Sequence, residues 1–315
     1  MSTQPLFAAL TSGTLDVLHL LKLLLHDSIV YVYTLLFVNE EELLARYFKD
    51  KTVLVTGASS GLGEALSLQL AGHKCKCLVL SSRSVAKLEV IAEQCRAVSP
   101  STHIFVLPLD LENAQAAEQY VASLTALLSE QHIACLDCLI NNAGVSSRGT
   151  ALNTDLAALT KIMNVNFFGP VSLTRALLPL LLKSPSAAIG VISSVQGRLG
   201  IPLRTSYAAS KHALQGYFDC LRAELAPHKV GVAVVSPGYI STNLSNNAIT
   251  GDGSAYGRTD ETTARGMAPA TCAHKSLIAI SRGITDCIIA DAKTCAAVQA
   301  KGQFPSLLAK MTRLK

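Results

Sequence analysis

The chain has 315 residues, of which 50% are hydrophobic and 16% are charged, and its formal net charge at pH 7 is +5. This composition supplies enough apolar side chains for one large globular domain and an additional segment. The small positive charge is spread along the chain, which argues against nucleic-acid binding because phosphate neutralisation needs a clustered basic surface.

The N-terminal segment at residues 17–38 is strongly apolar, with polar residues recurring every three or four positions at Asp16, His19, Lys22 and His26. This spacing predicts a helix with one narrow polar face. No basic residue precedes the apolar run, which argues against a secretory signal. Two interpretations stay open: a membrane anchor that lies in or weakly spans the bilayer, which we favour, or a helix packed on the domain. We assign residues 1–50 to this segment and its junction.

From residue 51 onward, short apolar strands alternate with helices. Strands are predicted at residues 52–56, 77–80, 104–107, 136–140, 188–192, 230–235 and 286–289, and helices at residues 61–71, 85–97, 114–128, 156–183, 207–225 and 269–280. Apolar strands separated by helices predict an α/β fold, a doubly wound (Rossmann-type) parallel sheet of about seven strands with helices on both faces. We place this domain at residues 51–291 and a C-terminal tail at residues 292–315.

The nine cysteines lie mostly in apolar stretches, where a free cysteine packs like a small hydrophobic side chain. We therefore expect no disulfide framework, and a reducing compartment for the domain. Cys135 and Cys138 form a C-x-x-C pair, but no second pair follows at zinc-ribbon spacing. We interpret them as strand residues and expect no metal site.

The first predicted strand runs directly into the glycine-rich sequence T-G-A-S-S-G-L-G at residues 56–63. Gly57, Gly61 and Gly63 let the backbone turn tightly and approach a pyrophosphate, which then lies at the N-terminus of the following helix. The position of this motif between a strand and a helix predicts a dinucleotide-binding site.

Two further strand ends carry candidate cofactor contacts. Ser82 stands where an acidic residue commonly binds the ribose 2′-hydroxyl, and Arg83 follows it. A guanidinium suits a 2′-phosphate, which favours NADP over NAD; the alternative is a solvated Arg83 at a strand end. Asp110, after the third strand, either accepts a hydrogen bond from an adenine amino group or caps the next helix. Both interpretations stay open.

The fourth predicted strand ends in the sequence N-N-A-G at residues 141–144, whose small residues leave room for a cofactor. The carboxyl ends of parallel strands face the ligand in such sheets. A purely structural role for Asn141 is the competing interpretation.

A tyrosine and a lysine four residues apart, Tyr207 and Lys211, share one face of a predicted helix. A neighbouring cation favours the phenolate and lowers a tyrosine pKa toward the range of general acid–base catalysis. Tyr47 and Lys51 have the same spacing but precede the first strand. The strand-end serine Ser194, upstream of Tyr207, singles out Tyr207 and Lys211 as the candidate catalytic pair, against the alternative of an ordinary amphipathic helix.

Together these motifs resemble the short-chain dehydrogenase/reductase family over residues 51–291. The resemblance is carried by the glycine-rich turn, N-N-A-G, the serine pair at residues 193–194, Y-A-A-S-K at residues 207–211 and P-G-Y-I-S-T at residues 237–242. It implies an NADP-dependent enzyme that interconverts a ketone or aldehyde and an alcohol on a lipid-, steroid- or retinoid-like substrate. A catalytically dormant dinucleotide-binding protein, used for regulation or scaffolding, is the alternative.

The resemblance also implies individual roles. Asn166 holds a helix carbonyl and a water in a proton relay, Ser194 hydrogen-bonds the substrate oxygen, and Tyr207 is the general acid in reduction and the base in oxidation. Lys211 lowers the Tyr207 pKa and binds the nicotinamide ribose, whereas Ser193 is structural. The expected cofactor-binding residues are Thr56, Gly57, Ser59, Ser60, Gly61, Leu62, Gly63, Ser82, Arg83, Asp110, Leu111, Asn142, Ala143, Gly144, Tyr207, Lys211, Pro237, Gly238, Ile240 and Thr242.

Location and assembly follow from the same comparison. The part of the family that the chain resembles most carries an N-terminal membrane segment, which favours attachment to the endoplasmic reticulum membrane over a cytoplasmic location. The predicted helices at residues 156–183 and 207–225 are apolar beyond one face, which predicts a homodimer about a twofold axis. The polar segment at residues 243–267 is expected to be a mobile cover of the substrate pocket.

Overall fold

The computed structural model of the protein describes residues 39–304 and residue 306. From Leu44 onward the described residues belong to one compact unit. The predicted N-terminal apolar helix at residues 17–38 lies outside the described residues. Within residues 39–304, no helix combines the length and the apolar character that crossing a bilayer requires.

Seven of the nine strands in the described chain form the central parallel sheet. The nine strands are β1 (Thr52–Thr56), β2 (Cys77–Ser81), β3 (His103–Val106), β4 (Cys138–Asn141), β5 (Ser147–Arg148), β6 (Ala188–Ile192), β7 (Gly231–Pro237), β8 (Ile249–Thr250) and β9 (Asp286–Ile289). The order in the sheet is β3-β2-β1-β4-β6-β7-β9, whereas β5 and β8 pair separately. The predicted doubly wound parallel sheet is confirmed.

The helices connect the strands and cover both faces of the sheet. They are α1 (Glu40–Phe48), α2 (Gly61–Gly72), α3 (Val85–Val98), α4 (Ala117–Glu130), α5 (Leu156–Met163), α6 (Gly169–Leu181), α7 (Thr205–Leu225), α8 (Glu261–Ala264), α9 (Pro269–Ser281) and α10 (Ala292–Gln303). Helices α4, α6 and α7 share a hydrophobic cluster with the strands, whereas α2 packs against α3 and α9.

Strands β1, β2, β4 and β6 are buried on both faces, which explains their high apolar content, whereas the edge strands β3 and β9 are partly exposed. Val53, Leu54 and Val55 in β1 are fully buried, and Leu78 and Val79 in β2 are buried to the same extent. Burial of each such side chain stabilises the fold by roughly 1.5–3 kcal/mol. This apolar content explains why the sequence pattern located the strands.

The predicted long helix at residues 156–183 is divided. A π-helical turn, Asn164–Phe168, separates α5 from α6. Gly169 follows it at a close approach to Leu111, where a Cβ atom would lie 2.7 Å from the Leu111 Cβ. Such π turns occur frequently at functional sites, and this one contains Asn166.

The predicted C-terminal tail contains a helix, α10, that the sequence pattern did not indicate. Asp291 caps its start by accepting a hydrogen bond from the Thr294 backbone N–H at 2.9 Å. Lys301 Nζ donates to the carbonyl oxygen of Arg198 at 2.5 Å, which fastens the helix to the loop after β6. The helix has no apolar stripe, the signal on which sequence prediction depends.

All nine cysteines are free thiols. Cys138 opens β4, whereas Cys135 lies in the loop before it. Burial raises the pKa of the Cys138 thiol to about 12, which makes it unreactive near neutral pH. In the described part of the chain, no group of three or more His, Cys, Asp or Glu side chains is arranged to hold a metal ion.

The parallel register brings the functional strand ends to one edge of the sheet. Thr56 at the end of β1 pairs with Ser81 at the end of β2, and Asn141 at the end of β4 pairs with Val191 in β6. The carboxyl edge of a doubly wound sheet is where ligands bind. The candidate site is therefore expected along this edge.

Candidate active site

A cavity of about 690 Å³ lies at the carboxyl edge of the sheet. It is lined by the glycine-rich turn, by the ends of β2, β4, β6 and β7, and by the start of α7. The sequence-predicted site residues in its wall are Gly57, Ser59, Ser60, Gly61, Leu62, Gly63, Ser82, Arg83, Asp110, Leu111, Asn142, Ala143, Gly144, Ser194, Tyr207, Lys211, Pro237, Gly238, Ile240 and Thr242. Two predicted residues, Thr56 and Asn166, lie behind the wall.

The glycine-rich turn has the shape that a pyrophosphate requires. Gly57 adopts φ +68°, and a Cβ atom there would lie 2.8 Å from the Ala143 Cα. A Cβ atom on Gly63 would overlap the Gly57 carbonyl oxygen. Ser60 precedes α2 without capping it through its side chain, so the first-turn N–H groups are not occupied by that hydroxyl. These features fit an anionic diphosphate at the start of the helix.

Thr56 supports this turn from behind. Its hydroxyl oxygen accepts hydrogen bonds from the backbone N–H groups of Asn142 at 3.0 Å and Ala143 at 3.1 Å. Asn142 Nδ2 donates in return to the Thr56 carbonyl oxygen at 2.9 Å. Asn141 instead points to α6, where its Nδ2 donates to Thr174 Oγ1 at 2.9 Å. Asn141 is therefore a packing residue.

Two basic side chains line the cavity beyond β2. Arg83 is exposed in the groove, and Lys87 joins it from the first turn of α3. Neither side chain makes a hydrogen bond or ion pair with another described residue, so both charges are available to bind an anionic group in the cavity. Lys87, which lies in the first turn of α3, was not predicted from the sequence.

Asp110 lines the cavity after β3, and its Oδ1 accepts a hydrogen bond from the Glu112 backbone N–H at 3.0 Å. The following helical turn is capped by Asn113, whose side chain accepts from the Gln115 N–H at 3.2 Å. The helix-cap interpretation of Asp110 is therefore wrong, because Asn113 occupies the N-cap position.

Asn166 joins the loop after β4 to the helix that carries Tyr207. Its Oδ1 accepts from the Val145 backbone N–H at 2.8 Å, and its Nδ2 donates to the Val145 carbonyl at 2.8 Å and to Ser210 Oγ at 3.0 Å. The side chain is fully buried. Gly144 leaves the room this needs, because a Cβ atom there would lie 3.2 Å from Asn166 Oδ1 and 3.4 Å from Lys211 Nζ.

Ser194, Tyr207 and Lys211 line the same part of the cavity. Lys211 Nζ donates to the Ile192 carbonyl oxygen at 2.9 Å and lies 5.8 Å from the centroid of the Tyr207 ring. Ser194 Oγ accepts a hydrogen bond from the Gln196 backbone N–H at 3.1 Å. The strand end after β6 and the first turns of α7 thus bring a hydroxyl, a phenol and an amine together.

Ser193 is held in a separate buried network. Its hydroxyl donates to the Lys211 carbonyl oxygen at 3.3 Å and accepts from Gln215 Nε2 at 3.0 Å. Gln215 Nε2 also donates to Ser236 Oγ at 2.9 Å, which links the ends of β6 and β7. These contacts fit the structural role expected of Ser193.

Burial and charge oppose each other at the tyrosine. Burial raises the pKa of Tyr207 above its usual value, and the Ser194 hydrogen bond and the charges of Arg148 and Arg204 offset part of that rise. Burial also lowers the pKa of Lys211 from 10.5 to about 8, because a desolvated ammonium is unfavourable. Arg148 and Arg204 were not predicted from the sequence, yet both line the cavity.

The segment at residues 243–267, which was expected to cover the pocket as a mobile segment, contains short elements of regular structure. It contributes β8, which pairs with β5, and the short helix α8. Ser245 Oγ hydrogen-bonds Thr263 Oγ1 at 2.7 Å within the segment. Polar side chains of the segment are used for these contacts.

The second tyrosine–lysine pair lies elsewhere. Lys51 Nζ is 4.8 Å from the centroid of the Tyr47 ring and donates to the side chain of Ser186 at 2.8 Å. Burial raises the pKa of Tyr47, with further increases from Cys138 and Asp137. Tyr47 is not part of the cavity wall.

Comparisons with known proteins agree with this geometry. Residues 51–252 match the family model described as short chain dehydrogenase. The chain is 41% identical over 286 residues to dehydrogenase/reductase SDR family member 7B of Xenopus tropicalis, covering 88% of this chain and 89% of that protein.

Solved structures have the same fold. A short chain dehydrogenase from Burkholderia cenocepacia J2315 in complex with NADP is 25% identical, with a TM-score of 0.67 over 85% of this chain and 99% of that one. A short chain dehydrogenase/reductase from Burkholderia phymatum in complex with NAD is 22% identical, with a TM-score of 0.70 over 82% of this chain and 95% of that one.

Proposed function

Because the chain belongs to the short-chain dehydrogenase/reductase family, we propose that it is an NADP(H)-dependent oxidoreductase that interconverts a ketone or aldehyde and an alcohol. The observation that carries this proposal is the cavity itself, in which Ser194, Tyr207 and Lys211 share a wall with the glycine-rich turn. A dormant binding protein has no need for an acid–base pair beside its dinucleotide groove.

The cofactor preference rests on charge. Arg83 and Lys87 provide two cations beside the end of β2 that have no partner among the described residues. Neither position 82 nor position 83 holds an acidic residue that could bind a ribose hydroxyl. A 2′-phosphate suits such a pair better than a 2′-hydroxyl does. We therefore assign NADP over NAD, with the pyrophosphate at the start of α2. When bound, NADPH supplies the hydride that the carbonyl carbon receives.

The proton comes from the chain. In reduction, the Tyr207 hydroxyl donates its proton to the substrate oxygen while Ser194 Oγ hydrogen-bonds that oxygen. Lys211 stabilises the phenolate that remains, and Asn166 holds the surrounding loop in register through Val145 and Ser210. The overall change is carbonyl, NADPH and one proton to alcohol and NADP⁺. In oxidation, the Tyr207 phenolate accepts the proton from the alcohol.

The substrate is proposed to be a hydrophobic carbonyl compound of lipid, steroid or retinoid type. Support comes from Tyr239 and Leu244, which line the cavity and are 38% and 39% exposed at its mouth. Exposed apolar side chains around a cleft are typical of a site that accepts an apolar ligand.

Membrane attachment and dimerisation complete the proposal. Residues 1–50 serve as an anchor segment and junction, which places the catalytic domain at residues 51–291 on the endoplasmic reticulum membrane. The exposed apolar side chains Leu159, Phe168 and Leu182, on the stretch from α5 to just beyond α6, support a homodimer about a twofold axis.

The test of the proposed function is a panel of purified carbonyl compounds, incubated with pure protein and NADPH. We expect loss of the reduced-nicotinamide absorbance that depends on at least one apolar ketone or aldehyde. The same preparation with Tyr207→Phe should bind NADPH and show no such loss. A protein that binds NADPH but turns over no compound in either direction would support the dormant alternative.

A further inference from the structure

Arg148 and Arg204, which line the same cavity as Tyr207, share the carboxylate of Asp260. Asp260 Oδ2 accepts hydrogen bonds from Arg148 Nη2 at 2.5 Å and from Arg204 Nη2 at 2.7 Å. The exposed fractions of the side chains are 9% for Arg148, 11% for Arg204 and 17% for Asp260. One carboxylate is therefore shared by two guanidinium groups in a largely buried position, and the cluster retains one positive charge.

The two arginines are held differently. Arg148 uses all five of its N–H groups: Nε and Nη2 donate to Asp260, Nη1 donates to Ser146 Oγ and to the Ser147 carbonyl, and Nη2 also donates to Ser245 Oγ. It ties β5 to the segment that carries α8. Arg204, by contrast, makes its hydrogen bond through Nη2 to Asp260, and it lines the cavity.

The cluster is fixed to the same helical turn as Tyr207. Arg204 immediately precedes α7, and its carbonyl oxygen accepts the Ala208 N–H at 2.8 Å. The Tyr207 backbone N–H donates at 3.3 Å to Ser147 Oγ, next to Arg148. Backbone hydrogen bonds therefore link the turn that carries Tyr207 to the segments that carry Arg204 and Arg148.

The groups that lower the pKa of the Tyr207 hydroxyl are Ser194 after β6, Arg148 on β5 and Arg204 before α7. Lys211 on α7 lies 5.8 Å from the ring centroid, and Asp260 at the start of α8 binds both arginines. Arg148 and Arg204 lower the Tyr207 pKa, which burial raises. Burial alone would raise the pKa of Asp260, but the hydrogen bond and charge of Arg148, the charge of Arg204 and the hydrogen bond from Tyr256 outweigh it and keep that pKa below its usual value. Asp260 thus stays ionised and holds the arginines in place.

The arginines differ from Lys211 in one chemical respect. Burial lowers the pKa of Lys211 to about 8, so its charge decreases on the alkaline side of neutrality. A guanidinium remains protonated at every pH at which a protein stays folded. A charge beside Tyr207 that does not titrate therefore comes from the arginines.

We propose that Arg204, fixed by Asp260, is a positioning residue that stabilises the Tyr207 phenolate with a permanent positive charge, alongside Lys211. The proposal rests on the proposed function in one respect, the role of Tyr207 as the acid–base group. It assigns to the segment at residues 243–267 a part in proton transfer, because Asp260 comes from that segment.

The first test titrates Tyr207 directly in the full chain, by ultraviolet difference spectra against the matching Tyr207→Phe protein. Arg204→Met removes the charge, so the Tyr207 midpoint should rise by about one pH unit, the lower end of the effect of a nearby opposite charge. Arg204→Gln, which keeps a donor for Asp260, should show the same rise. Arg204→Gln is titrated in parallel, so that the midpoint can still be measured without the Arg204 charge if Arg204→Met does not fold.

Two controls separate charge from structure. Arg204→Lys keeps a cation and should leave the midpoint unchanged. Arg222→Met removes a partly buried arginine from the far end of α7, where it bonds Asp219 and the Val232 carbonyl, and should also leave it unchanged. An unchanged midpoint in both Arg204→Met and Arg204→Gln would overturn the proposal, as would an equal rise in Arg204→Lys.

The second test follows the pH profile of carbonyl reduction. Loss of the Arg204 charge should move the alkaline limb of turnover to higher pH by the same amount as the direct titration. A purely structural defect lowers turnover at every pH and leaves the limb in place, which would contradict the proposal. Should Tyr207→Phe retain turnover, the proposed function fails, and the direct titration still decides the effect of Arg204.

Discussion

The ammonium group of Lys211 lies 5.8 Å from the centre of the Tyr207 ring, in a pocket buried deeply enough to lower the lysine pKa to about 8. The amine is anchored by its hydrogen bond to the carbonyl of Ile192 at 2.9 Å. The burial that places the amine beside the phenol therefore also disfavours the protonated form of the amine. The fold maintains this pair at a cost in stability that depends on pH.

This cost gives a stability prediction. Because the folded-state pKa of Lys211 is below the unfolded value of 10.5, the unfolded chain binds more protons between about pH 8 and pH 10.5. The Lys211 contribution to the free energy of unfolding therefore rises with pH across that window, by about 3 kcal/mol. Lys211→Met lacks this contribution, so wild type should gain stability relative to Lys211→Met as the pH increases.

Urea denaturation of both proteins at the two ends of that window measures the difference. Titrating groups that lie away from Lys211 contribute equally to both proteins and cancel, and measuring both in the Tyr207→Phe background removes the coupled titration of Tyr207. A stability difference that stays constant with pH would show that Lys211 is fully charged in the folded protein.

The cofactor prediction concerns Arg83 and Lys87. A charge-assisted hydrogen bond contributes about 1.5–3 kcal/mol, so each replacement by alanine should weaken NADPH binding by roughly 10- to 100-fold. NADH affinity should change little, since NADH has no 2′-phosphate. Lys76→Ala removes the same charge just before β2, at its opposite end, and should affect neither cofactor. Isothermal titration with both cofactors gives the answer; equal losses for NADPH and NADH would rule out the phosphate contact.

Membrane attachment is tested by removing the apolar segment. The shortened chain should begin at Asn39, because Leu44 and Phe48 in α1 are fully buried and belong to the core. We expect the full chain to sediment with lipid vesicles and the shortened chain to remain in the supernatant. Absence of sedimentation for both would favour the packed-helix interpretation of residues 17–38.

Dimerisation is tested on the exposed apolar side chains of the α5–α6 stretch. Phe168 is 48% exposed, and a charge at that position should prevent burial against a second copy. Phe168→Asp is therefore expected to be monomeric by light scattering while the unmodified chain is dimeric. Val90→Asp alters a comparably exposed position on α3 and should leave the dimer intact. A monomeric unmodified chain at micromolar concentration would contradict the proposal.

The sequence predicted the features that are local. The strands at residues 52–56 and 188–192 have the predicted bounds, because a run of apolar residues between turns determines a buried strand. The glycine-rich turn was recognisable for a similar reason, since the glycines that it requires lie within eight positions of one another. Nearly all the predicted site residues line the cavity on this basis.

The features that were missed depend on contacts between distant parts of the chain. Arg148 and Asp260 are 112 residues apart, and neither lies in a motif that indicates the other. The π-helical turn around Asn166 is invisible to a helical pattern, because residues 156–183 keep their apolar spacing across it. Thr56 matched the motif but supports the turn from behind, a distinction that only the packing reveals.

The most direct test of the catalytic assignment compares the two tyrosines that share the Y-x-x-x-K spacing. Turnover of a verified carbonyl substrate is measured for Tyr207→Phe and Tyr47→Phe, with NADPH binding as the check on folding. General acid–base groups contribute about 10²- to 10⁴-fold to turnover, so turnover of Tyr207→Phe should fall by at least about 10²-fold while NADPH binding persists. Tyr47→Phe should keep nearly full turnover, since Tyr47 lies outside the cavity wall. Retention of more than about a tenth of wild-type turnover by Tyr207→Phe would contradict the assignment.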